Sequence, residues 1–124
     1  MSASLSARTV ALARREFERP PAPFGDPTAE ERLAQDLAAD GRAPELSEAM
    51  QRYLRGRTRA FDRTVLGALE RGTRQIVLLG AGYDGRALRY ARPGIDFWEV
   101  DLPDTQRDKR ERLDRLGGPP DPGP

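Results

Sequence analysis

The run Gly80-Ala81-Gly82-Tyr83-Asp84-Gly85-Arg86 holds the residues whose types and spacing could do chemistry. Gly80 and Gly82 let the backbone approach a bound molecule closely, because neither carries a Cβ. Asp101 follows 21 residues after Gly80, at the end of Phe97-Trp98-Glu99-Val100. A ribose-binding carboxylate is expected at about that distance, some 20 residues past the first glycine. A tight glycine turn after an apolar run, with such an acid downstream, is the opening of a Rossmann-type nucleotide site.

The charge of the loop bears on the ligand. A dinucleotide sets its pyrophosphate against a helix N-terminus, where N–H groups and cations favour it. Asp84 stands inside this loop and would repel a phosphate. S-adenosylmethionine carries no phosphate at all; its sulfonium and ammonium are both cationic, and an acidic glycine loop suits it better than it suits NAD. A NAD-dependent oxidoreductase keeps in its favour the literal Gly80-x-Gly82-x-x-Gly85. Asp84 also has a plainer reading, as the cap of a helix that begins near Gly85. Capping and ligand contact are compatible.

The elements that must position these residues follow from periodicity and punctuation. Val10, Ala13 and Phe17 recur at helical spacing within a helix over Ser6 to Glu18, which an Arg19-Pro20-Pro21-Ala22-Pro23 connector ends. Asp26-Pro27 reads as N-cap and first helical position of a second helix, with Leu33 and Leu37 on one face and Gly41 at its end. A longer helix from Pro44 to Arg71 carries Leu46, Met50, Tyr53, Leu54, Phe61, Val65, Leu66 and Leu69 as its apolar stripe. Gly72 stops it. Gln75 to Leu79 and Ile95 to Val100 are strands flanking a short helix over Gly85 to Ala91. A last helix from Pro103 to Leu116 offers Asp108–Arg112 and Glu111–Arg115 as i,i+4 pairs. Its alternating charges predict a solvated face, with Leu102, Leu113 and Leu116 as a thin apolar side.

Composition excludes several functions. Twenty-one Lys+Arg against 20 Asp+Glu leave a net charge of +1, so no electrostatic case for nucleic acid exists. Without cysteine there is neither a disulfide framework nor a thiolate metal site, and without histidine the commonest general base and metal ligand is gone. No metal is expected. No run approaches the roughly 18 apolar residues of a membrane span, and no signal-peptide core opens the chain, which predicts a cytoplasmic protein.

Several motifs in order resemble the leucine carboxyl methyltransferase family, and within it the actinobacterial S-adenosylmethionine-dependent branch. They are Ser6-Ala7-Arg8-Thr9-Val10-Ala11-Leu12, Arg15 and Glu18, Phe24-Gly25-Asp26-Pro27, Arg57-Thr58-Arg59-Ala60-Phe61-Asp62, Leu79 to Ala87, Phe97 to Pro103, and Lys109. The similarity extends to about Leu116. Gly85 departs from it, since the family usually has threonine there.

The resemblance implies an α/β protein, the N-terminal part of a Rossmann-like class I methyltransferase fold. A helical N-terminal extension (1–72) would precede a βαβα unit (73–116) with an incomplete sheet, and a disordered Pro/Gly tail (117–124) would follow. It implies S-adenosylmethionine as cofactor. Arg57 would bind the carboxylate of the methionine moiety, a task for a planar fork donor. Gly80 and Gly82 would lie against the cofactor beside Asp84, Asp101 would hold the ribose hydroxyls, and Arg15 would add a second basic contact. In-line displacement at a sulfonium needs positioning more than acid–base chemistry, so no catalytic residue is named. The resemblance implies that the methyl would go to an oxygen, a carboxylate in the eukaryotic members. Two strands of a roughly seven-stranded sheet predict an inactive N-terminal piece that self-associates through exposed edges. A non-enzymatic module, using the Pro44–Arg71 helix as a partner surface, is the remaining alternative.

Overall fold

The computed structural model describes residues 5–22, 24–41 and 44–117. The tail beyond Gly117, for which disorder is expected, lies outside the described residues. Among them the element order is α1 (Leu5–Arg14), α2 (Pro27–Ala39), α3 (Glu48–Glu70), β1 (Gln75–Leu79), α4 (Arg86–Arg89), β2 (Asp96–Val100) and α5 (Pro103–Arg115). The fold is α/β. β1 and β2 pair in parallel, from Gln75 opposite Asp96 to Leu79 opposite Val100, with α4 in the crossover.

Local chemistry sets the boundaries. Asp26 caps α2 by accepting from the Ala29 N–H at 3.2 Å, with Pro27 in the first turn, where its missing N–H costs nothing. α3 begins at Glu48, four residues later than expected from Pro44, because the Ser47 hydroxyl accepts from the Met50 N–H at 3.1 Å and fixes the start there. α1 ends at Arg14 rather than near Glu18. From Arg15 to Phe17 the chain tightens into i→i+3 bonds onto Leu12, Ala13 and Arg14, and Phe17 turns inward.

Two apolar clusters make the core. Ala11 and Leu12 of α1, Leu33 and Leu37 of α2 and Tyr83 of the glycine loop form one. Val65 and Leu69 of α3 with Tyr90 form the other, against which Ile76, Ile95 and Phe97 pack. That second cluster covers one face of the sheet. Strand alternation puts Val77 and Leu79 on the opposite face, and the parallel register brings Trp98 and Val100 beside them. There Leu79 is 79% exposed. None of the described helices is long and apolar enough to cross a membrane.

Two helices bury different residues than their patterns suggest. The inward line of α3 is Leu54, Thr58, Asp62, Val65 and Leu69, whereas Met50, Tyr53 and Phe61 stay exposed. The line keeps helical spacing, but two of its members are polar. In α5 the buried side chains are Thr105, Lys109 and Arg112, and the solvated face expected for this charge run is only half right. Arg112 makes the expected pair with Asp108 at 2.7 Å, and it also reaches Asp36 on α2 at 2.8 Å and Asp40 at the C-terminal cap of that helix. Arg115 pairs with Asp36 at 3.2 Å rather than with Glu111. α2 supplies carboxylates that a reading of α5 alone cannot see.

Candidate functional site

A groove of about 650 Å³ lies between α1, α3 and the C-terminal end of β1. The chain brings Arg57, Gly80, Gly82, Asp84 and Asp101 together along it, with Phe61 from α3 and Arg14 from α1. Arg15 is not among them. It lines a separate, much smaller cleft beside Glu30, Glu31 and Tyr83, because one step along a helix rotates a side chain by about 100°. Arg14 lines both spaces.

The loop between β1 and α4 turns on two left-handed glycines, Gly80 at φ +61° and Gly82 at φ +50°. A Cβ on Gly80 would meet nothing within 4 Å, so this glycine borders open groove. A Cβ on Gly82 would stand 2.7 Å from the Ala7 Cβ, which makes Gly82 the point where α1 crosses the loop. Asp101 closes the same corner. Its Oδ2 accepts from the Gly82 N–H and its Oδ1 from the Leu102 N–H at 2.6 Å. The Ala81 N–H extends the strand ladder to the Val100 carbonyl at 3.2 Å. Each Asp101 oxygen retains a lone pair for a further donor.

Asp84 is held from several sides. Its Oδ1 accepts from the Arg86 N–H at 2.7 Å, its Oδ2 from the Arg86 guanidinium, and its carbonyl from Lys109 Nζ. Gly85, not Asp84, is the N-cap residue of α4. Burial opposes ionisation of Asp84, yet the charges of Arg86 and Arg14, the Arg86 N–H and Lys109 together hold its pKa below the ordinary carboxylate value. The charge that would repel a phosphate is therefore compensated within the protein, and the electrostatic argument from the loop loses its force. Lys109 also spans both oxygens of Glu99 at 2.7 and 2.8 Å, fixing α5 to β2. At Gly85 a side chain would run into Glu30, which accounts for glycine where the resemblance leads one to expect threonine.

Behind the groove lies an ion cluster that the sequence does not announce. Asp62, fully buried, accepts from Arg19 Nε at 2.6 Å, from Arg19 Nη2 at 3.0 Å and from Arg86 Nε at 2.8 Å. Arg19 also pairs with Glu30. Burial works against the Asp62 charge, and the two guanidiniums more than offset it, so its pKa falls below the ordinary value. Helical spacing from Leu54 to Val65 runs through position 62 and was the available signal.

Arg14 and Arg57 are different. Among the described residues neither donates a hydrogen bond nor forms an ion pair; Arg57 lies over the Phe61 ring at 5.3 Å. Arg14 is half-buried, and burial destabilises its charged form while Asp84 supports it, leaving its pKa below the ordinary arginine value. Two guanidiniums that make no hydrogen bond or ion pair among the described residues thus line one groove with the glycine turn. The arrangement offers guanidinium donors for a carboxylate and, at Asp101, acceptors for hydroxyls.

The model of the leucine carboxyl methyltransferase family matches residues 8–123. The chain belongs to this family. Among its relatives is a protein of Parafrankia sp. (strain EAN1pec), 49% identical over 76 residues, which are 60% of this chain and 24% of that protein. A second, from Mycolicibacterium vanbaalenii, is 38% identical over 90 residues, 72% of this chain and 30% of its own. A third, from Mycolicibacterium gilvum, is 40% identical over 79 residues, 63% of this chain and 26% of its own. The names of all three assign them to the S-adenosyl-L-methionine-dependent methyltransferases. The chain spans about a quarter to a third of the length of these curated relatives.

Proposed function

We propose that the groove is the cofactor-binding part of an S-adenosylmethionine-dependent methyltransferase with the Rossmann-like class I architecture. The observation that carries the reading is the pair of guanidiniums, Arg14 and Arg57, that make no hydrogen bond or ion pair among the described residues and line the same groove as the Gly80–Gly82 turn and Asp101. The donor set fits the cofactor. Arg57, steadied by Phe61, and Arg14 take the carboxylate of the methionine moiety; Asp101 takes the ribose hydroxyls with its free lone pairs; Gly80 leaves room for the ligand against the backbone. The volume lies within the roughly 300–1,000 Å³ of ordinary ligand sites.

When bound, the cofactor supplies a methyl group already activated by a positive sulfur. This chain's own residues then bind and orient, and no acid or base is required of them. Transfer to an oxygen, a carboxylate among the candidates, is the reaction we favour. In this reading the groove's lining is assigned to the cofactor, and none of the described residues is assigned to holding an acceptor. The 124 residues by themselves should therefore bind cofactor weakly and transfer no methyl group, since rate acceleration requires the acceptor to be held in line with the sulfonium.

Isothermal calorimetry of the chain with S-adenosylmethionine and, separately, with NAD tests the reading. Binding of the first, weakened by about 1.5–3 kcal/mol in Arg57→Ala, the range for a charged hydrogen bond, is the expected result. NAD binding of equal strength would overturn it. Binding of neither ligand, with a tight protein partner on the α3 face instead, would favour the interaction module.

A further inference from the structure

Phe61 is shared by two guanidiniums. Arg57 lies over its ring at 5.3 Å and Arg86 at 5.6 Å. Arg57 is exposed and without a hydrogen-bonded partner among the described residues, so the ring is what orders it. Arg86 is 3% exposed and held throughout. Its Nε donates to Asp62 Oδ1 at 2.8 Å, its Nη2 to the Thr58 carbonyl at 3.2 Å, and its Nη1 and backbone N–H to the Asp84 carboxylate. Thr58 adjoins Arg57, and Asp62 adjoins Phe61 in sequence. One guanidinium thereby joins the stretch of α3 bearing Arg57 to the glycine loop.

We propose that Arg86 is a positioning residue for cofactor recognition: through Phe61 and the α3 backbone it sets the direction in which Arg57 presents its guanidinium to the ligand carboxylate. The inference rests on the reading of the groove given above. Asp62, fixed from behind by Arg19, is the anchor that holds Arg86 in place. A lysine cannot replace this arrangement. It keeps the charge between Asp62 and Asp84, but it has neither a fork to span three acceptors nor a plane to stack on the ring.

The test uses two ligands that differ at the carboxylate. S-adenosylhomocysteine has the amino-acid group; 5′-methylthioadenosine lacks it. Arg86→Lys in the full 124-residue chain should weaken S-adenosylhomocysteine about tenfold or more and leave methylthioadenosine unchanged within about twofold. Arg57→Ala should show the same selectivity, and the double variant should be no worse than the poorer single one, as for residues that act through one another. Phe61→Leu, at a position 46% exposed and so tolerant of change, should reproduce the selective loss even if Arg86→Lys folds poorly.

Equal weakening of both ligands by Arg86→Lys would mean general damage to the fold and overturn the proposal, as would full retention of S-adenosylhomocysteine affinity while Arg57→Ala loses it. If Arg57→Ala itself has no effect, the assignment of the groove fails first, and the proposal with it. A ligand-free readout separates the two. The Arg57 Nε–H resonance, shifted by the Phe61 ring current in the unsubstituted chain, should move toward its random-coil position in Arg86→Lys, and an unmoved resonance would refute the coupling.

Discussion

Asp62→Asn removes one negative charge from the middle of the buried cluster and keeps the side chain's shape. Asp62 has no exposed surface and accepts three charged hydrogen bonds, two from Arg19 and one from Arg86. Breaking a buried ion pair by deleting one partner costs about 3–5 kcal/mol. Arg19 retains Glu30 and Arg86 retains Asp84 after the change, and an amide oxygen standing where Oδ1 stands still accepts from both Arg19 and Arg86. The lower end of the range, about 3 kcal/mol, is therefore expected. In urea unfolding followed by far-UV circular dichroism, this appears as a lower midpoint at unchanged slope.

The pH dependence supplies an independent check. An unfolded aspartate titrates near pH ~3.9, and folded Asp62 lies below that value because Arg19 and Arg86 outweigh its burial. A depressed folded pKa gives stability that is fully present above the unfolded value and is lost as pH falls through the folded one. The unsubstituted chain should lose stability more steeply below about pH 4 than Asp62→Asn does. A destabilisation under about 1 kcal/mol, or identical acid limbs, would refute the view that Asp62 is a charged hub.

Gly80→Val should cost the fold only the left-handed strain of about 1–2 kcal/mol, since its Cβ meets open space, yet abolish S-adenosylmethionine binding by calorimetry. Gly82→Ala should hurt folding more than Gly80→Ala in the same urea assay, because its Cβ strikes Ala7. Arg14→Ala should weaken the cofactor about as much as Arg57→Ala, whereas Arg15→Ala should leave it unchanged; the reverse order would return the contact to Arg15. Val77→Lys with Leu79→Lys, on the uncovered sheet face, should reduce concentration-dependent association in sedimentation velocity, and equal association in both chains would place the contact elsewhere.

The glycine loop, both strands, their parallel order and the α2 cap were all legible in the sequence. Each is written in neighbouring residues: the β-branched run into Gly80, the acid at 101, the Asp26-Pro27 pair. Family motifs distributed in order pointed to Arg57, which the fold places on the groove. The charges resisted reading. Nothing along the chain says which guanidiniums neutralise Asp62, that Arg86 crosses to α3, or that Arg112 meets Asp36 and Asp40, since those partners stand 24 to 76 residues apart. Arg14 and Arg15 are adjacent and chemically identical, and the direction of α1 against the loop decides which one enters the groove. Periodicity fixes which side of a helix is inward; whether a charged residue on that side is tolerated depends on carboxylates and guanidiniums brought by other elements. Local hydrogen bonding and steric rules act over a few residues, while the pairing of buried charge is settled only when distant segments meet.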